Sequence, residues 1–129
     1  MLMKRNMDLI RKILVKIEDT VDNAIVYNPE IEGYSNEQIS YHCSILYEGG
    51  YISKYGSLEG SGEIEDFGVG RLTWEGHDLL DKIRSETVWK KTKDTITNQG
   101  LPMIVDVVKD ISTSIISAMV EGAIKGMNQ

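Results

Sequence analysis

A few residues of this chain are of types that could do chemistry. His42 and Cys43 are adjacent, and His77 is the only other histidine. Neighbours on a helix point about 100° apart, so His42 and Cys43 cannot easily hold one metal ion. Cys43 as nucleophile with His77 as its base is the one covalent pairing on offer. Cys43, however, falls on an apolar stripe with Ile39 and Leu46, which predicts a buried thiol. His77 follows Glu75-Gly76 in the first turn of a helix, where a structural role is expected. Gly56, Gly60 and Gly62 are followed by no Gly-Lys-Ser/Thr and sit among acids, so they do not predict a phosphate cradle. Glu63, Glu65 and Asp66 lack the spacing of an EF-hand loop. The expectation is a non-enzyme with no catalytic residues, no metal site and no cofactor.

The frame that must position these residues is small. The chain has 129 residues, 41% hydrophobic and 26% charged, which suits one globular domain with an appendage and is too apolar for disorder. One cysteine excludes an intrachain disulfide framework. The start, MLMKRNMDLIRK, has no long apolar stretch, so no signal peptide is read there. The net charge of −6 hides an asymmetry. Residues 1–17 balance at +4, through Lys4, Arg5, Arg11, Lys12 and Lys16 against Asp8. Residues 18–66 balance at −10, with Lys54 their one cation. That block repels polyanions and steers basic partners toward itself.

Met7, Ile10, Ile13, Leu14, Ile17 and Val21 recur at helical spacing and predict a first helix over 5–20. Residues 24–34 read as an extended segment turning at Asn28-Pro29, or a short edge strand. Ser35 with Gln38 is a capping box, opening a helix that Gly49-Gly50 closes. Tyr51 to Tyr55 is expected to be a strand, 56–63 a flexible hairpin tip, and Ile64 to Leu72 the return strand with Phe67, Val69 and Leu72 inward. Thr73 is the expected N-cap of the next helix, buried through Leu79, Leu80 and Ile83. After a break at 98–100, Pro102 is expected in the first turn of a last helix. The fold class is α+β: a winged-helix-like domain over 3–84 with a two-stranded ribbon, then a C-terminal helical extension over 85–129. Only one obvious helix separates the first strand from the ribbon, where a winged helix usually has two.

Lys4 to Leu14, Ile31 to Ser35, Tyr41-His42, Leu46 to Ile52, Arg71 to Asp81 and Thr87-Val88-Trp89 together resemble a family of small bacterial and phage proteins, domain of unknown function 2513. Leu72-Thr73-Trp74-x-Gly76-His77 is the most specific run. The resemblance covers roughly residues 3–93. It implies a winged-helix-like, cytoplasmic protein frequent in prophage and mobile-element settings, and it carries no catalytic residues with it.

A winged helix suggests DNA by analogy, but fold is not function. The helix that would enter the major groove, from Ser35 to Glu48, has no Lys or Arg to neutralise phosphates. Its exposed side is expected to show Gln38, Tyr41, Ser44, Ile45 and Glu48. The favoured reading is a non-catalytic interaction or regulatory module. Its protein partner, basic in character, meets an acidic, tyrosine-rich face of Tyr34, Tyr41, Tyr47, Tyr55, Glu59, Glu63, Glu65 and Asp66. The alternative is a DNA-binding regulator using Lys4, Arg5, Arg11, Lys12, Gln38 and Tyr41; a further one is an acidic mimic of nucleic acid. In the last helix, Leu101, Ile104, Val108, Ile111, Ile115, Ala118 and Gly122 form a coiled-coil-like stripe. Ile111, Ile115, Ala118 and Gly122 are read as a homo-oligomerisation face. Membrane spanning is disfavoured by the shortness of the apolar stretch and its Glu121–Lys125 pair.

Overall fold

Asn6 opens the first helix. Its side-chain oxygen accepts from the Leu9 amide at 3.2 Å, so one of the N–H groups a helix start leaves orphaned is satisfied. Helix α1 then runs Met7–Thr20 and buries Met7, Leu9, Ile10, Ile13, Leu14 and Ile17. That is the expected stripe plus Leu9, with Val21 outside the described residues. Each such side chain contributes roughly 1.5–3 kcal/mol when fully buried. The computed structural model describes residues 3–20, 25–60 and 63–128, and the side chains of 59, 60 and 63–65 are outside that description.

The rest of the α+β chain is β1 (Val26–Tyr27), α2 (Asn36–Glu48), β2 (Tyr55–Gly60), β3 (Glu63–Val69), α3 (Trp74–Ile83), α4 (Glu86–Asn98) and α5 (Val105–Met127). It divides into two compact units, Met1–Leu80 and Asp81–Gln129.

In the first unit the capping box is complete. Ser35 Oγ accepts from Gln38 N at 3.1 Å, and Gln38 Oε1 accepts from Ser35 N at 2.9 Å. Helix α2 ends as its glycines predict. Gly50 takes φ +81°, the Tyr51 amide donates to the Leu46 carbonyl, and the Gly50 amide to that of Tyr47.

The three strands form an antiparallel sheet in the order β1-β3-β2. Two expectations for the ribbon are corrected. Residues 51–54 are not a regular strand, although they keep contact with 70–72 through an Ile52–Leu72 bridge and bonds from Ser53 N to Arg71 O and Gly70 N to Lys54 O. The strand instead starts at Tyr55 and runs through the stretch 56–60 that was expected to be a floppy tip. Glycine weakens strands, but pairing with β3 overrides that local preference. A register shift between Leu58 and Glu59 absorbs the irregularity. Phe67, Val69 and Leu72 are buried, as expected; the first two alternate along β3, and Leu72 follows beyond its end.

The two-residue β1 is lengthened by Asn28, which adopts φ +49°. Its amide donates to Phe67 O at 2.9 Å, its Oδ1 accepts from Phe67 N at 3.0 Å, and its Nδ2 donates to Asp66 Oδ1 at 2.8 Å. The side-chain oxygen thus gives Phe67 N the acceptor that the backbone carbonyl of a regular strand residue at position 28 would supply.

Thr73 caps α3, accepting from Gly76 N at 3.2 Å while its hydroxyl donates to the Gly50 carbonyl. Its own amide donates to Tyr51 O at 3.1 Å. Gly76 packs so closely on Tyr51 that a Cβ there would run into the Tyr51 carbonyl oxygen.

In the second unit, Ser85 caps α4 at the Val88 amide, 3.3 Å. Val88, Trp89, Thr92 and Ile96 are buried, and α4 packs against α5. Pro102 is not in the first turn of α5, which starts three residues later with no side-chain cap from Ile104. Of the expected stripe, Val108 is buried and Ile111 and Ile115 are half-buried, while Leu101, Ile104, Ala118 and Gly122 are exposed.

Gly76→Ala should therefore lose about 1–3 kcal/mol of stability by overpacking against backbone that cannot yield. Gly122→Ala, with nothing within 4 Å of its Cβ position, should gain up to ~1 kcal/mol of helix stability. Urea denaturation of the two variants tests the pair.

Candidate functional site

The sheet sorts its side chains by strand alternation. Tyr55, Phe67 and Val69 face α2. Phe67 and Val69 are buried, and the Tyr55 hydroxyl lies 2.5 Å from Ser40 Oγ, with its ring tilted 34° against Phe67. On the opposite face Gly56 stands directly across from Gly68, leaving a strip of bare backbone. Ile25 and Tyr27 lie over this strip: a Cβ on Gly68 would meet Ile25 Cγ2 at 2.8 Å and the Tyr27 ring at 3.2 Å.

Around this strip lies an open groove of about 480 Å³, lined by Ile25, Tyr27, Leu58 and Asp66, with Tyr47, Lys54 and Tyr55 completing it. Tyr27 is 69% exposed, Leu58 63% and Tyr47 48%. Four segments distant in sequence thus pool large apolar side chains at one place. Exposed apolar clusters of this kind mark interaction sites far more specifically than single exposed residues do.

Of the expected partner-binding residues, Tyr47, Tyr55 and Asp66 meet here. Tyr34 lines a different, more polar cleft of about 750 Å³, and the Lys12 ammonium sits 5.4 Å from its ring centroid. Tyr41 is half-buried and edge-on to the His42 ring. The side chains of Glu59, Glu63 and Glu65 lie outside the described ones. The described charges lining the groove are Lys54 and Asp66, one of each sign, so its described lining is aromatic rather than acidic. Ile25, Tyr27, Lys54 and Leu58 were missed by sequence reasoning. The alternation of Ile25 and Tyr27 around Val26 was the available signal. Trp74, 83% exposed at the start of α3, was likewise hidden inside the family-like run.

The exposed side of α2 differs from expectation. Tyr47 and Glu48 are exposed, while Gln38, Tyr41, Ser44 and Ile45 are half-buried. Gln38 also spends its carbonyl oxygen on the capping box. Of the basic set, Lys4 and Arg5 are exposed, Arg11 is half-buried, and Lys12 leans over Tyr34.

His42 is buried with both ring nitrogens engaged. Nε2 is 2.9 Å from the Asn6 amide and Nδ1 is 2.8 Å from the Gln38 carbonyl. A backbone N–H only donates and a carbonyl only accepts, so Nε2 accepts and Nδ1–H donates. Neither nitrogen is left for a metal or a proton relay. His77 is exposed, its Nδ1 3.7 Å from Glu18 Oε2. Cys43 is fully buried, and burial pushes its thiol up from 9.0 to about 12. The nucleophilic pairing fails on this ground, since only a thiolate attacks. Among the described residues no three His, Cys, Asp or Glu cluster to hold a metal ion. Among the same residues no helix is long and apolar enough to cross a membrane.

The model of the family described as "Hypothetical protein (DUF2513)" matches residues 4–102, from α1 to just before α5. An "Uncharacterized protein" of Haemophilus influenzae (strain ATCC 51907 / DSM 11121 / KW20 / Rd) is 41% identical over 120 residues, 91% of this chain and 98% of that protein. No solved structure matches.

The raised thiol has a consequence for alkaline stability. Above about pH 9 an unfolded Cys43 ionises while the folded one keeps its proton. The unfolded state then holds fewer protons, so stability falls as pH rises toward about 12. Cys43→Ala should show a shallower loss over that window in denaturant titrations.

Proposed function

We propose that this chain, which belongs to the DUF2513 family, is a non-catalytic interaction module of winged-helix-like build that holds a protein partner in the sheet groove. The order α1-β1-α2-β2-β3, with β1 and β2 on opposite edges of the sheet, supports the winged-helix-like part of the reading. The observation that carries the function is the pooling of Ile25, Tyr27, Tyr47, Tyr55 and Leu58 in one open groove. Tyrosine at such a place buries a large area at low entropic cost and keeps a polar tip for hydrogen bonding. A duplex-binding role draws less support. Helix α2 brings no cation to a phosphate, and the acidic excess of residues 18–66 opposes one.

Self-association through α5 is a second component, favoured by its own observation. From Ser117 to Asn128 every residue of that helix end is exposed, and Met119, Val120, Ile124 and Met127 are large and apolar. Apolar residues concentrated in this way are most simply covered by the same surface of a second copy.

A photo-crosslinking residue placed at Leu58 should capture a protein in nuclease-treated lysate, and one placed at Lys90 should not. Tyr47→Ala should abolish that capture with circular dichroism unchanged. Recovery of nucleic acid alone would overturn the reading. Ile124→Glu should convert any oligomer seen by sedimentation to monomer without weakening the Leu58 crosslink.

A further inference from the structure

The groove runs beside an edge of the sheet, and the register tells which backbone groups that edge presents. β2 is an outer strand. The amide and carbonyl of β3's Phe67 are both directed at Asn28, toward β1. Ser57, directly opposite Phe67, therefore belongs to a pair without mutual hydrogen bonds, and its N–H and C=O turn away from β3. Tyr55, two residues earlier, does the same. The bond from Gly70 N to Lys54 O, one residue out of phase, agrees. Residues 56–58 are exposed along this edge. Such a row of donors and acceptors 2 residues apart is what an added strand pairs with.

The chemistry of the occupant follows from its surroundings. Only an extended backbone satisfies the groups of Tyr55 and Ser57 together. One alternate set of that segment's side chains then falls beside Leu58, exposed on the neighbouring strand, which asks for apolar groups. The ribbon carries Glu59, Glu63, Glu65 and Asp66 against Lys54, which asks for cations. A second copy pairing β2 on β2 would set this acidic ribbon against itself, and like charges brought together across strands destabilise.

We propose that the open edge of β2 takes an extended segment of a partner protein as a fourth strand, one that alternates apolar residues with lysine or arginine. This rests on the reading of the groove as a partner site, and the test separates the two. The probe is a fluorescent peptide of eight residues alternating lysine and valine, titrated against the full chain by anisotropy. Two further peptides carry N-methyl groups on either all valine or all lysine amides. Only one phase of amides faces the edge, so one methylated peptide should bind at least about tenfold more weakly and the other about as well as the parent. Equal behaviour of the two overturns strand addition, as does an equally tight glutamate–valine peptide. So does absence of binding by the parent peptide at millimolar concentration. Ser57→Pro removes an outward N–H and no ladder bond to β3, so it should leave thermal unfolding unchanged and weaken binding by at least about tenfold. A folded Ser57→Pro variant that binds normally overturns the proposal. A dimer that this substitution dissolves would assign the edge to a second copy and overturn it too. If strand addition fails while the Leu58 crosslink and its loss in Tyr47→Ala persist, the partner site stands without this mode.

Discussion

The first unit depends on one contact between backbones. Gly76, in the first turn of α3, rests directly on the carbonyl of Tyr51, and no residue with a Cβ fits there without displacement. Thr73 fastens the same corner three ways: its hydroxyl to Gly50, its amide to Tyr51, and its oxygen to the Gly76 amide. The turn that ends α2 and the turn that starts α3 thereby become one rigid piece. The ribbon is rooted in that piece, since Ile52 and Leu72 bridge immediately beside it. The most family-specific run of the sequence thus reads as construction. Leu72 is core, Thr73 is the fastener, Gly76 is the close approach, and His77 reaches Glu18. Trp74 faces outward, 83% exposed.

Much of the fold was legible because helices announce themselves locally. The stripe from Met7 to Ile17 and the reciprocal bonds of Ser35 and Gln38 are matters of a few neighbouring residues. So are the glycines at 50 and 100, both at positive φ just after a helix. The limits of the ribbon were not legible. Gly56 and Gly60 argue locally for a loop, and only the facing strand turns them into sheet. Pro102 obeyed a sound positional preference and still lies outside its helix, because Leu101 to Ile104 form no regular structure and the backbone is still extended at Ile104, just before α5 begins.

The groove was hidden for a different reason. It draws on residues 25–27, 47, 54–58 and 66–68, so no window of sequence contains it. Counting charge along the chain pointed to an acidic, tyrosine-rich face. Folding divides that block, sending Tyr34 to one cleft and Tyr47 and Tyr55 to another. The glycine pair at 56 and 68 shapes the groove by what it lacks. A sequence pattern built on side chains gives no weight to their absence.

The link between Asn6 and His42 bears on how the molecule assembles. A backbone amide at the head of α1 is satisfied by a ring 36 residues further along the chain. During synthesis α1 leaves the ribosome before α2, and the Asn6 amide meets this ring only once α2 has emerged and docked. The head of α1 is thus completed by a contact between elements rather than within its own helix.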